Sequence, residues 1–71
     1  MDLKDVMATN LRLFRYAKNM TQEDLAESAG LSTRYIGAIE RAKVSASVTV
    51  LGRIADALSV EATELIKRRV L

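Results

Sequence analysis

The 71-residue chain contains no cysteine, no histidine, no proline and no tryptophan. Without cysteine there is neither a disulfide nor a thiolate; without histidine there is no imidazole base, and together the two absences remove nearly every zinc arrangement. Catalysis would have to rest on carboxylates, lysines or hydroxyls, yet the nine acidic residues stand singly or at helix starts, where the helix dipole accounts for them. The chain is therefore not expected to be an enzyme, nor to take a cofactor, a metal or a small-molecule substrate. Long hydrophobic runs are missing too. The longest uncharged stretch, Val44 to Gly52, mixes serine, threonine and glycine with valines and is far too short to cross a bilayer. The first residues lack a basic-then-apolar leader pattern, so a cytoplasmic location is expected.

What is present reads as globular. Hydrophobic residues make up 49% and charged residues 28%, interleaved every few positions, and the length suits one small domain over residues 1–71. Eleven basic and nine acidic residues leave a net charge of +2, too mild to identify a partner by itself. Distribution says more: Asp2, Asp5, Glu23, Asp24 and Glu27 cluster away from Arg34, Arg41 and Lys43.

The run TQEDLAESAGLSTRYIGAIERAK, from Thr21 to Lys43, carries the densest pattern. Thr21 and Asp24 can cap each other across three residues, and apolar Leu25 with small Ala26 and Ala29 follow. Gly30 then supplies the positive φ of a sharp helix-to-helix turn. Ser32 or Thr33 can cap the next helix, where Ile36 and Ile39 share one face while Arg34 points elsewhere. Two helices joined by so short a turn suggest DNA reading.

Periodicity predicts five helices. The first runs from Leu3 to Lys18 on the stripe Leu3, Met7, Leu11, Phe14 and Ala17, stopping at Asn19. The second covers Gln22 to Ala29 and the third Thr33 to Arg41, followed by a loop over Ala42 to Ala46. Ser47 can cap a fourth helix with Val48, Leu51, Ile54, Ala55 and Leu58 inward; Gly52 within it costs roughly 1 kcal/mol against alanine and is read as permitting close packing. The fifth spans Ala62 to Arg69, anchored by Leu65 and Ile66, with Lys67, Arg68 and Arg69 favouring the negative end of its dipole. Leu11, Leu25, Ala26, Leu31, Ile36, Ile39, Leu51, Ile54 and Leu58 form the expected core.

The central run resembles the helix-turn-helix of the lambda-repressor and Cro-like family. Its pattern TQxxLAxxxGhSxxYIxxIERxK, with h apolar, is met at Thr21, Gln22, Leu25, Ala26, Gly30, Leu31, Ser32, Tyr35, Ile36, Ile39, Glu40, Arg41 and Lys43. Leu11, Arg12 and Arg15 upstream and the stretch from Arg53 to Leu58 downstream extend the likeness over nearly the whole chain. The resemblance implies an all-α, compact five-helix lambda-repressor-like DNA-binding domain, with the second and third helices as the helix-turn-helix. It implies a sequence-specific transcription regulator that binds double-stranded DNA as a homodimer on palindromic operators, with half-sites about 34 Å apart. The family usually has glycine and proline where this chain has Ala42 and Ala46. Either the third helix then runs on by a turn or Ala42 sits strained, and the loop loses stiffness. Glu61 also stands where a capping serine is common, and Ser59 where glycine is.

Carried onto this sequence, the resemblance places Thr33, Arg34, Gly37 and Ala38 at the bases. Arg34 is the foremost candidate, since a guanidinium bonds both O6 and N7 of guanine. Gly37 and Ala38 offer no side-chain hydrogen bonds, so reading depends on few residues or on close approach of the helix. Gln22, Tyr35, Arg41 and Lys43 are assigned to phosphates, and Gln22 is further expected to brace Thr33. The competing reading makes Gln22 a plain helix start, Arg34 a phosphate contact, Tyr35 a packing residue, and Arg41 with Lys43 a solvated exit. Arg15 and Glu40 are implied to form a partly buried structural ion pair. A dimer surface through the fourth and fifth helices draws on Val50, Val60, Leu65, Val70 and Leu71, the length leaving no room for a separate oligomerisation domain. The segment YIGAIERAK most resembles restriction-modification controller proteins; a phage or transposon repressor, or the antitoxin of a toxin pair, looks nearly the same. The alternative of another class is a protein-interaction module that keeps the fold without binding DNA.

Overall fold

The computed structural model describes residues 2–69 and contains five helices: α1 (Leu3–Ala17), α2 (Gln22–Ala29), α3 (Thr33–Glu40), α4 (Val48–Leu58) and α5 (Ala62–Leu65). Among the described residues there is no strand, and no helix is long and apolar enough to cross a membrane. Each of the first four helices starts on a side-chain cap. Asp2 accepts from the N–H of Lys4, Ser32 from Tyr35 and Ser47 from Val50. At α2 the reciprocal box is complete: the Asp24 N–H donates to the Thr21 hydroxyl and the Thr21 N–H to the Asp24 carboxylate, both at 3.0 Å. The Thr21 N–H holds that carboxyl below its ordinary value. Only α5 enters without a side-chain cap, at Glu61.

The same four helices also end alike. After α1, Asn19 turns left-handed (φ 56°), its N–H donating to Tyr16 and that of Met20 to Arg15. Gly30 (φ 70°), Ala42 (φ 56°) and Ser59 (φ 57°) close α2, α3 and α4 with the same paired bonds. Of the two outcomes open for α3, the strained one is observed. The helix stops at Glu40, one residue short of the expected Arg41, and Ala42 bears the left-handed conformation, which costs a Cβ-bearing residue about 1–2 kcal/mol.

α2 packs on α3 and α4, α1 on α3 and α5, and α4 on α5, which encloses one core. Leu11, Leu25, Ile36, Ile39, Ile54, Leu58 and Leu65 are fully buried in it. Leu65 therefore belongs to the interior of the single chain and leaves the expected dimer surface. Its position one turn after the capless Glu61 points it inward, where α4 and α5 meet. Val50 and Val60 are half-buried against the core, and Val70 and Leu71 lie outside the described residues. Three residues of the expected apolar stripes are exposed instead: Leu3, Ala17 and Val48, the last at 84%. All three sit in terminal turns, and Leu3 with Val48 lines an open groove between the first turns of α1 and α4. Leu31 and Leu51 are half-buried at the rim. A Cβ added to Gly52 would meet nothing within 4 Å, so this glycine does not serve close packing within the chain.

The last element is shorter than the periodicity suggests. α5 covers Ala62–Leu65 rather than reaching Arg69, because its carbonyls find partners outside the helix. The buried side-chain amide of Asn10 on α1 donates to the carbonyls of Leu65 (3.0 Å) and Lys67 (2.9 Å). Arg69 donates to the Asn10 side-chain oxygen at 3.0 Å and to the Glu64 carbonyl and carboxylate at 3.0 and 3.1 Å, with its guanidinium 5.2 Å from the Phe14 ring centre. Arg69 is thus a clasp for the terminal segment rather than a charge at a helix end.

These backbone features yield a pair of stability predictions. Ala42→Gly, which relieves the left-handed strain, is expected to raise the unfolding free energy in urea by about 1 kcal/mol. Gly52→Ala, in open space inside α4, is expected to raise it by about 1 kcal/mol through helix propensity. No gain at Ala42→Gly would show that the α3 exit relaxes in solution.

Candidate nucleic-acid interface

α3 is held in place from its C-terminal end. Glu40, its last residue, is 4% exposed, and Arg15 in the last turn of α1 is 8% exposed. Nε of Arg15 donates to Oε2 of Glu40 at 2.6 Å and its terminal nitrogen to Oε1 at 3.0 Å, the two-pronged geometry only an arginine makes. The remaining Arg15 nitrogen donates to the Met20 carbonyl at 2.9 Å, tying in the linker to α2. Gln22, first residue of α2, donates its amide to Oε1 of Glu40 at 3.1 Å, and Arg12 donates to the Glu40 backbone carbonyl. One carboxylate thus joins α1, α2 and α3. Burial alone would push the Glu40 carboxyl up; hydrogen bonds from Arg15 and Gln22, with the charges of Arg15 and Arg12, outweigh it and hold the carboxyl below its ordinary 4.5. The hydrogen bond to Glu40 likewise raises Arg15 above its ordinary value.

The opposite side of α3 faces outward. Thr33 and Arg34 are exposed in its first turn, Arg41 and Lys43 are exposed at its exit, and Tyr35 and Ala38 are half-buried between. Among the described residues Arg34, Arg41 and Lys43 enter no ion pair. Two expectations change. Gln22 gives its amide N–H to Glu40 instead of bracing Thr33, because the buried carboxylate is the stronger acceptor. Gly37 is buried rather than open: the terminal nitrogen of Arg41 lies 3.1 Å, and Oε1 of Gln22 3.7 Å, from the point a Cβ would occupy there. The Arg41 side chain folds back along α3 and covers the glycine.

Two residues that hold this arrangement together are given no role by the sequence, Arg12 entering only as part of the likeness and Asn10 not at all. Arg12 lies one helical turn before Arg15, a spacing that puts both on the face meeting α3. Asn10 interrupts the apolar stripe between Met7, Leu11 and Phe14, and a polar side chain at such a position must find partners.

The ion pair sets a pH dependence whose sign follows from Glu40. A carboxyl held below its unfolded value stabilises the fold fully above about pH 4.5 and loses that contribution as pH falls through the lower folded value. Glu40→Gln is expected to flatten the fall of melting temperature in this acid range, leaving the contribution of the Asp24 cap. Arg15→Met or Glu40→Leu alone is expected to cost about 3 kcal/mol, and the two together markedly less than the sum. Additive losses in that cycle would show that the pair is not coupled.

A family model described as "Helix-turn-helix" matches residues 11–65. The control protein C.SmaI of Serratia marcescens is 38% identical over 69 residues, covering 97% of this chain and 82% of that protein. The crystal structure of a hypothetical transcription factor from Neisseria superposes with a TM-score of 0.90 at 39% identity, covering 93% of this chain and 76% of that one. That of the restriction-modification controller protein C.AhdI from Aeromonas hydrophila superposes with a TM-score of 0.85 at 35% identity, covering 87% of this chain and 94% of that one. With a family model over most of its length and relatives of this identity and coverage, the chain belongs to the helix-turn-helix family of lambda-repressor and Cro-like regulators.

Proposed function

We propose that this protein is a sequence-specific regulator of the controller type, binding palindromic operators as a two-fold homodimer with α3 in the major groove of each half-site. The observation that carries the reading is the separation of charge on α3 and its exit: Glu40 is consumed inside by Arg15, while Arg34, Arg41 and Lys43 stand outside without ion pairs among the described residues. A helix so arranged presents only positive charge and backbone to a phosphate-lined groove. Thr33 and Arg34 occupy the N-terminal turn that meets base edges, with Arg34 bidentate to guanine and Ala38 small enough for close approach. The free backbone amides at Gln22, the Tyr35 hydroxyl and Lys43 flank this face and contact phosphates; Arg41 adds a further positive charge.

The dimer is proposed to form along α4 and the segment after it. Val50 and Val60, half-buried within one chain, supply the apolar contact there. Control proteins and restriction-modification controllers among the relatives support the regulatory role.

Titration of duplex DNA at low and moderate salt tests the reading. Affinity is expected to fall steeply with salt, by about one unit of slope per phosphate contact, and binding-site selection from a random duplex library is expected to return a palindrome. Arg34→Ala is expected to lose about 1–3 kcal/mol at one guanine of each half-site. Binding indifferent to salt, to sequence and to Arg34→Ala would favour a protein-interaction module instead. Sedimentation equilibrium is expected to give a dimer that Val60→Asp shifts to monomer; an unchanged mass would place the contact elsewhere.

A further inference from the structure

Gly37 lies in the middle of α3, yet its backbone does not require glycine: among the described residues the only glycine with positive φ is Gly30. A glycine in a helix interior weakens the helix, so another reason for its presence is to be sought in space. That space is filled. Beside the missing Cβ lie the terminal nitrogen of Arg41 at 3.1 Å, its central guanidinium carbon at 3.9 Å and Oε1 of Gln22 at 3.7 Å. The comparison within the same chain is informative, since Gly52, also inside a helix, has nothing within 4 Å of the corresponding point.

Arg41 follows the last residue of α3, but its guanidinium rests over a residue one turn back, about 6 Å along the axis toward the base-reading end. Arg34, Gly37 and Arg41 fall on one row of the helix at spacings of three and four. The second neighbour at this spot is itself fixed. The amide nitrogen of Gln22 is committed to Glu40 at 3.1 Å, so its carbonyl oxygen is the end turned toward Gly37 and Arg41.

Resting on the reading above that α3 enters the major groove, we infer that Arg41 is a second base-reading arginine, seated over the cradle that Gly37 leaves open and oriented by Gln22. Its planar fork lies across the centre of the recognition face, where two parallel N–H groups meet the O6 and N7 acceptors of a guanine. From the helix exit alone it would reach only phosphate. Specificity then rests on two forks per half-site, Arg34 near the helix start and Arg41 near its centre, which makes up for the absence of hydrogen-bonding side chains at Gly37 and Ala38. The seat bears on the reading together with the arginine, because a Cβ at Gly37 would lie 3.1 Å from the fork and force it to shift by a few tenths of an ångström.

The test is binding-site selection from a random duplex library with the full chain and with Arg41→Lys, Gly37→Ala and Arg34→Ala, alongside salt titrations and thermal melts. The unaltered protein is expected to select two strongly preferred base pairs per half-site. Arg41→Lys keeps the charge and loses the fork; it is expected to flatten the preference at one of them by about tenfold or more, with an unchanged salt slope. Gly37→Ala is expected to flatten the same position while melting at or above the original temperature, and Arg34→Ala to flatten the other. An Arg41→Lys protein with the original motif would overturn the inference and leave Arg41 a phosphate contact, with the regulator reading intact. Failure of the unaltered protein to select any site would overturn both. Should Gly37→Ala melt early, Arg41→Lys alone decides.

Discussion

The orientation of α3 depends on a single buried carboxylate. Glu40 gathers bonds from Arg15 and Arg12 on α1 and from Gln22 at the start of α2, so the angle between the two motif helices and their attachment to α1 are set at one point. A hydrophobic contact could hold the same elements together, but without fixing their rotation. The forked hydrogen bonds supply direction, at the cost of desolvating two charges. The same point disposes of the acid nearest the proposed interface, so that the outward potential of α3 is set by Arg34, Arg41 and Lys43.

Much of the scaffold is legible in the residues because it is made locally. The Thr21 and Asp24 box, the Ser47 cap, the Gly30 turn and the inward Ile36 and Ile39 each depend on neighbours within a few positions. The Arg15–Glu40 pair spans 25 residues and is not derivable from local pattern; it entered through the resemblance, and the structure contains it. What eluded the sequence depends on other segments arriving. Leu65 reads both as an anchor of the fifth helix and as part of a dimer surface until α4 closes over it, and α5 reads as two turns until Asn10, 55 positions away, takes the Leu65 carbonyl.

The exit of α3 illustrates how local rule and outcome can part. Left-handed closure is used after each of α1 to α4, yet glycine occupies it only once. Ala42 adopts it because the N–H groups of Ala42 and Lys43 have ready acceptors in Ile39 and Ala38, and two backbone bonds outweigh the strain of one Cβ. Gly37 shows the converse, a glycine whose backbone could belong to any residue and whose absent side chain matters more than its freedom.

Asn10 carries a consequence of its own. Its amide donates to the carbonyls of residues 65 and 67, two apart, and receives Arg69 on its oxygen. One carbonyl belongs to the last residue of α5 and the other lies just beyond it, so a lone side chain here takes the place of the N–H groups that a longer helix would have supplied. The course of the polypeptide beyond α5 is consequently written in α1, and a change at one helical position would reroute a segment that it precedes by more than fifty residues.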